Sequence, residues 1–145
     1  MKYLYRFGWY FAYIYWFIRR PKTKGSCIIV ESNNSVLLVR HTYGRRNLWF
    51  FPGGGIKKNE GALSAAKREL KEETGLNLDL KFIGEASGKE NWRQVTDSYY
   101  IGYSKDKQLV KDNREIADFR WWPKNHLPPN LSPVSKLAAK QFISN

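Results

Sequence analysis

The segment GGIKKNEGALSAAKRELKEETGL, residues 54–76, carries the strongest structural signal in this chain. Its core, Arg68–Leu76, carries three carboxylates, Glu69, Glu72 and Glu73, at positions i, i+3 and i+4. On a helix these positions share one face, so the carboxylates are predicted to converge on a small volume. Like charges repel there, and Mg²⁺ would offset the repulsion because it favours oxygen ligands and substrate phosphates. The pattern predicts a metal site for phosphate chemistry; the alternative is a solvated acidic helix face.

Glycines flank the segment and predict the limits of its helix. The glycines at 53–55 allow the backbone to turn tightly and to approach a ligand closely. Asn59 or Glu60 is expected to cap the open N–H groups at the helix start. Gly75 is expected to end the helix in the left-handed conformation. A loop, a helix over 61–74 and a second loop are therefore predicted.

The spacing of these residues resembles the Nudix box, G-x5-E-x7-R-E-U-x-E-E-x-G-U, in which U is a bulky apolar residue. Every defined position is filled, by Gly54, Glu60, Arg68, Glu69, Leu70, Glu72, Glu73, Gly75 and Leu76. Similar family features are the lead-in Trp49–Gly53 and, downstream, Glu115-Ile116, Trp121-Trp122-Pro123 and Leu127-Pro128. The resemblance to the Nudix hydrolases covers roughly residues 25 to 143, and its specific part is the box.

The resemblance implies a fold of the α/β class, a Nudix-type α/β/α sandwich with a mixed central sheet, as a domain over residues 25–145. The order of predicted elements agrees with it. Strands are predicted at 26–31, 35–40, 48–51, 78–86, 95–103 and 115–122, the first two forming a hairpin and the fourth and fifth joined through Gly88 and Asn91. Ser132 and Pro133 are expected to cap a final helix with an apolar face of Val134, Leu137, Ala138 and Phe142.

The resemblance also implies a reaction, the Mg²⁺-dependent hydrolysis of a pyrophosphate bond in a nucleoside diphosphate linked to another moiety, with Mn²⁺ as a possible substitute. Glu72 and Glu73 are the expected main metal ligands, and the carbonyl of Gly53 is expected to complete the coordination. Glu69 is expected to be a ligand or the base that activates water. The expected catalytic residues are thus Glu69 and Glu72, together with Glu115.

Glu115 is included among the expected catalytic residues because some family members take the catalytic base from a loop that follows the box. The alternative is that Glu115 is an ordinary glutamate at a strand edge. Arg68 is expected to pair with Glu60 or another acid and orient the cluster. Gly54 and Gly75 would support the same structure. Arg40 and Arg45 are expected to contact the phosphates, solvated loop charges being an equal alternative.

Composition is compatible with one such domain. The chain of 145 residues can bury one core, and its hydrophobic fraction of 42% is ordinary. A single cysteine, Cys27, suits a reducing compartment and predicts a cytoplasmic protein with a buried structural thiol. His41 and His126 have no ligand spacing and are not predicted to be catalytic. The formal net charge of +12 suits polyanionic partners, including nucleotides, RNA and anionic membranes, or a simple solubilising surface.

Residues 1–24 form an aromatic and basic extension that is predicted to be helical. Tyr3–Ile18 is aromatic with Arg6 as its one charge, and Arg19 to Lys24 is basic. No small-residue cleavage site follows the apolar run, and the run is short for a membrane span. Three partners stay open for its rings: the domain itself or a second subunit in a homodimer, a peripheral membrane surface, and stacked nucleic-acid bases.

Substrate identity is poorly determined by the sequence. Where some Nudix relatives carry a substrate-marking proline or tyrosine, this chain has Asn91, Trp92 and Arg93. Lys57 and Lys58 add positive charge beside the box and favour a highly phosphorylated substrate. Three functions remain open: hydrolysis of a small nucleotide derivative, hydrolysis at an RNA 5′ end, and nucleotide binding without catalysis.

Overall fold

A computed structural model describes residues 2–90, 92–105, 109 and 115–143. Its elements are α1 (Lys2–Arg19), β1 (Lys22–Ser32), β2 (Ser35–His41), β3 (Gly53–Gly55), α2 (Ala62–Thr74), β4 (Lys81–Glu90), β5 (Arg93–Tyr103), β6 (Ile116–Pro123) and α3 (Pro133–Phe142). Asn91 lies outside the described residues, as do the side chains of residues 2–7 and 90.

One mixed sheet organises the domain, with strand order β4-β5-β1-β2-β6. β1 and β5 are parallel, and the other pairs are antiparallel. β1 pairs with β5 along one edge from Lys22 to Glu31. Its other edge is shared by β2, near the hairpin turn, and by β3, which pairs at Gly25–Cys27. The central strand therefore holds the glycine strand β3 in place.

Neighbouring residues of β1 face opposite sides of the sheet, as the period of a strand requires. Ile29 lies in one core cluster with Tyr99 and Ala138 of α3. Ile28 lies in a second cluster with Ala66 and Leu70 of α2. A helix thus covers each face of the sheet, and the predicted α/β/α sandwich with a mixed sheet is confirmed.

The box helix α2 ends as predicted but begins differently. Gly75 has a φ of 74° and donates its N–H to the carbonyl of Lys71. The N-cap is Gly61, and no side chain caps it, so the prediction that Asn59 or Glu60 caps this helix is wrong. Asn59 is itself in a left-handed turn with a φ of 64°. The Glu60 carboxylate instead accepts from the backbone N–H of Lys57 at 2.9 Å.

Three other predicted boundaries need correction. Residues 48–51 form isolated bridges at Trp49 and Phe50 rather than a strand, and the predicted loop at Gly53–Gly55 is a strand paired with β1. β4 begins at Lys81 and continues through Gly88 to Glu90. The differences at residues 48–55 arise from pairing with segments distant in sequence, which local sequence patterns do not report. Ser132 caps α3 as predicted, accepting from the N–H of Ser135.

The N-terminal helix α1 has two different faces. Trp9, Tyr13 and Trp16 are partly covered, and Trp9 packs against Gly44. The opposite face, which we call the outer face, exposes Phe11, Ile14, Tyr15 and Ile18 to solvent. Within the described residues, no helix combines the length and the apolar character needed to span a membrane.

Candidate active site

The glycine strand β3 lets two carboxylates approach the backbone. Gly53 has a φ of 150°, and a Cβ there would lie 2.2 Å from the carbonyl oxygen of Ser26. A Cβ at Gly54 would lie 2.6 Å from the carboxylate carbon of Glu69. Only glycine therefore fits at Gly53, whereas a Cβ at Gly54 would displace the carboxylate end of Glu69. The consequence is that Glu69 lies directly against the main chain of β3.

Glu73 is buried beside the same strand, with 3% of its surface exposed. Its Oε2 accepts the N–H of Gly53 at 3.0 Å. Burial raises the pKa of Glu73 well above its ordinary value, and the Gly53 N–H partly opposes the shift. The charges of Glu69, Glu115 and Glu72 raise this pKa further. The charges of three other carboxylates therefore act on Glu73.

His41 lies against Glu73, a position that the sequence did not predict. Its Nδ1 is 3.8 Å from Glu73 Oε1, which is longer than a hydrogen bond. Burial lowers the pKa of His41 to about 4, so the imidazole is neutral near pH 7 and the contact is not an ion pair. His41 is the last residue of β2, and its ring packs between Tyr43 and Phe50.

Arg68 joins the acids of the box. As predicted it pairs with Glu60, and both carboxylate oxygens accept, from Nε at 2.8 Å and from Nη2 at 2.9 Å. This bond lowers the pKa of Glu60 to about 2. Arg68 Nη1 also donates to Glu69 at 2.5 Å and to Glu72 at 3.3 Å, and Nη2 donates to the carbonyl of Gly55. The guanidinium thus fixes the loop before α2 to the acidic face of the helix.

The predicted convergence of three carboxylates needs correction. Arg68 holds Glu69 and Glu72, whereas Glu73 turns towards the N–H of Gly53. Over the part of the chain that the structure describes, no three carboxylate, imidazole or thiol groups lie close enough together to hold an ion. The spacing places the acids on one side of α2, but their partners decide where each carboxylate points.

The remaining predicted site residues, Glu115, Arg45 and Arg40, do not all lie near the carboxylates of the box. The carbonyl of Glu115 accepts the N–H of Thr42 at 2.8 Å, and the charge of Glu115 acts on Glu73. Arg45 lines the adjacent cavity. Arg40 does not line it, because its Nη2 is 3.3 Å from Asp118 and its guanidinium lies over Trp49 at 5.1 Å. The structure therefore brings Glu115 and Arg45 to the site and leaves Arg40 outside the cavity.

The active-site cavity, of about 270 Å³, opens along β3. Ser26 of β1 lines it with a buried hydroxyl that has no hydrogen-bond partner among the described residues. Trp9 and Trp16 of α1 also line it, so the N-terminal extension contributes to the wall of the cavity. No pattern in the sequence indicated that Ser26 or these two indoles face the box.

Comparison with known proteins identifies the family. The sequence model described as NUDIX domain matches residues 21–142, most of the chain. The chain belongs to the Nudix family. The crystal structure of a MutT NUDIX hydrolase from Burkholderia pseudomallei shares the fold, with a TM-score of 0.76 over 83% of this chain and 98% of that one, at 18% identity.

Nudix relatives with different named activities match this chain. It is 30% identical over 123 residues to a protein of Bacillus subtilis (strain 168) named provisionally as an 8-oxo-dGTP diphosphatase, covering 83% of this chain and 79% of that protein. It is 34% identical over 113 residues to the RNA pyrophosphohydrolase of Pelagibacter ubique (strain HTCC1062), covering 65% and 71%. It spans only 34% of Nudix hydrolase 5 from Arabidopsis thaliana, at 29% identity. The chain is a Nudix pyrophosphohydrolase.

Nudix enzymes generally use a divalent cation, and the kind of donor at this site suits one, although the described carboxylates are not gathered around a single point. The donors are carboxylate oxygens, which Mg²⁺ and Mn²⁺ both accept. Burial raises the pKa of Glu73, and the charges of Glu69, Glu115 and Glu72 raise it further, so negative charge at this position is unfavourable. A cation bound near these carboxylates would offset that charge.

Proposed function

We propose that this protein hydrolyses the pyrophosphate bond of a nucleoside diphosphate linked to another moiety, with Mg²⁺ as its cation and Mn²⁺ as a substitute. The observation that carries the proposal is the position of Glu69 and Glu73 against the glycine strand, at the edge of a cavity that is lined by two indoles. The strand therefore lies between the acids of the box and a space suited to a nucleoside.

Each acid of the box has a proposed role. Glu72 and Glu73 are the main ligands of the cation, with Glu69 and the carbonyl of Gly53 beside them. When bound, the cation would polarise the phosphate oxygens and lower the pKa of water. Arg68 fixes the loop before α2 in position against the helix through its hydrogen bonds to Glu60. Glu69 and Glu115 are the candidates for the base that removes a proton from the attacking water.

Groups lining the cavity account for substrate binding. The hydroxyl of Ser26 is a buried donor without a partner in the described structure, and a substrate oxygen would satisfy it. Trp9 and Trp16 present aromatic surface on which a base can stack. Arg45 lines the same cavity and supplies a cation for the phosphates. The cavity thus offers contacts for both the base and the phosphates of a nucleotide.

A metal-dependent hydrolysis screen tests the proposal. Nucleoside triphosphates, ADP-ribose, nucleotide sugars, dinucleoside polyphosphates and triphosphorylated RNA are incubated with Mg²⁺, with Mn²⁺ and with a chelator. We expect turnover of at least one class that needs the cation and is lost in Glu72→Gln. Glu85→Gln, which removes a carboxylate of β4 bonded to Ser98, is the control and should retain turnover. Turnover that persists in the chelator would contradict the metal assignment.

Hydrolysis at an RNA 5′ end is the second candidate. The formal charge of +12 suits an RNA backbone, and the Pelagibacter relative is named for this reaction. Triphosphorylated RNA in the same screen distinguishes this activity from hydrolysis of small nucleotides.

We also propose a cytoplasmic protein whose outer face of α1 contacts an anionic membrane. Basic residues, Arg19, Arg20, Lys22 and Lys24, follow the exposed apolar face, a combination typical of interfacial helices. We expect phosphatidylserine vesicles to carry the protein upwards in a flotation gradient, and the double variant Ile14→Ser, Ile18→Ser to remain below. If neither protein floats, membrane contact is excluded; if both float, the outer face of α1 is not the contact surface. A homodimer formed through this face would be seen by sedimentation and lost in the same variant.

A further inference from the structure

A second cavity, of about 520 Å³, lies between α1 and the turn that joins β4 to β5. We call it the basic cleft, and its defining residues are Tyr13, Arg20, Arg45, Lys89, Trp92 and Arg93. Arg45 and Arg93 also line the active-site cavity, so the two spaces adjoin. A ligand that leaves the active-site cavity along α1 would enter the basic cleft.

The charge of the basic cleft selects an anion. Four of its lining side chains are cations, Arg20, Arg45, Lys89 and Arg93, and none of the described residues that line it is acidic. By contrast, the active-site cavity includes Asp97. Clustered cations next to a phosphate-hydrolysing site raise the local concentration of phosphates and track a phosphate backbone. The cleft is therefore suited to phosphates beyond those that react.

An exposed indole adds a stacking surface to this charge. Trp92 is 48% exposed and has a φ of 67°, a conformation that bulky residues rarely adopt. Its position is fixed by α1, because its Nε1 donates to the hydroxyl of Tyr13 at 2.8 Å and Phe17 packs edge-on at 5.2 Å. A ring that is held in place and still half exposed can stack a base with little loss of entropy.

Arg93 lies at the boundary between the two spaces. Its guanidinium carbon is 4.2 Å from the ring centre of Trp16, which lines the active-site cavity but not the basic cleft. Arg93 lines both spaces, and its sequence neighbour Trp92 lines the basic cleft. A guanidinium at this boundary can meet the phosphate that joins a nucleotide in the active-site cavity to the next nucleotide in the cleft.

We propose that the basic cleft binds the second nucleotide of an RNA 5′ end whose first nucleotide lies in the active-site cavity. This inference rests on the RNA form of the proposed function. A mononucleotide would fill only the active-site cavity, and a lipid headgroup has no base that could stack on the fixed indole of Trp92 inside the cleft. Lipid would meet the outer face of α1, on the opposite side of the helix.

The test measures binding separately from turnover. Fluorescence anisotropy follows a 3′-labelled, 5′-triphosphorylated RNA trinucleotide and a labelled nucleoside triphosphate with the same first base, both in chelator so that neither is hydrolysed. We expect the trinucleotide to bind at least tenfold more tightly. The double variant Arg20→Gln, Lys89→Gln should lose most of that advantage, and its salt dependence should become shallower by ~0.7 in log–log slope for each cation removed.

Two further variants complete the test. Trp92→Ala removes the stacking surface and should also reduce the preference for the trinucleotide, whereas Lys136→Gln, which removes one positive charge on α3, should leave it unchanged. Equal affinity of the wild-type protein for the two ligands would overturn the inference. So would a double variant that binds RNA normally but loses affinity for phosphatidylserine vesicles, which would assign the cleft to a membrane. Failure of the proposed function, by contrast, would be seen as the absence of hydrolysis in the metal-dependent screen, whatever affinities the anisotropy measurements give.

Discussion

Replacing Glu73 by glutamine is expected to lower kcat by ~10³-fold or more while making the cation-free protein more stable. Glutamine keeps the shape of the side chain and an oxygen that can accept the N–H of Gly53. It removes one negative charge from a buried position near Glu69, Glu72 and Glu115. Catalysis loses a cation ligand, whereas folding no longer requires a buried carboxylate. Activity and stability therefore change in opposite directions.

The pH dependence of stability follows from the same group. Because the pKa of Glu73 in the folded state is raised above its ordinary value of 4.5, the proton binds more tightly to the folded protein. The cation-free wild type should lose stability as pH rises above ~4.5, until it passes the raised pKa. Glu73→Gln should lack this loss of stability. Its melting temperature near pH 7 should exceed that of the wild type by ~4 °C for each kcal/mol of destabilisation that the substitution removes.

Thermal melts between pH 4 and pH 8, with and without Mg²⁺, measure both effects. Added Mg²⁺ should stabilise the wild type and have much less effect on Glu73→Gln. Glu85→Gln serves as the control, since its carboxylate lies on β4 and bonds to Ser98. A Glu73→Gln protein that keeps full activity, or that is less stable than the cation-free wild type near pH 7, would contradict the assigned environment of this carboxylate.

The second large effect is expected at Gly53. Gly53→Ala should destabilise the protein by about 3 kcal/mol or more, because alanine is strained at a φ of 150° and its Cβ would lie 2.2 Å from the carbonyl oxygen of Ser26. Relief of that contact requires β3 to move away from β1. The movement would also displace the N–H that binds Glu73, so activity should fall with stability.

Gly55→Ala is the matched control, two residues along the same strand. A Cβ at Gly55 meets no atom within 4 Å, and its backbone is outside the left-handed region. Urea unfolding of both variants should therefore separate a large loss at Gly53 from a change within ~0.5 kcal/mol at Gly55. Similar losses in the two variants would mean that the strand is sensitive to any side chain, and that the close approach to β1 has no special importance.

Local patterns predicted the parts of this protein that neighbouring residues determine. The helix predicted at 61–74 is observed at Ala62–Thr74, and it ends at Gly75 as expected. The pairing of Arg68 with Glu60 was also predicted, because both belong to one short segment. The N-cap was wrong because Glu60 prefers Arg68 and the N–H of Lys57, a choice that depends on where the loop lies.

Residue spacing along the chain predicted the box helix, and the resemblance to the Nudix family carried by the same residues implied the sandwich fold and the class of reaction. Only the tertiary structure decided that His41 contacts Glu73, that Gly53 joins a strand beside Ser26, and that Trp9 and Trp16 line the active-site cavity. These contacts join residues that are far apart in sequence. An aromatic helix such as α1, apolar on all sides, does not reveal in its sequence which face meets the domain, because the complementary surface belongs to other strands and loops.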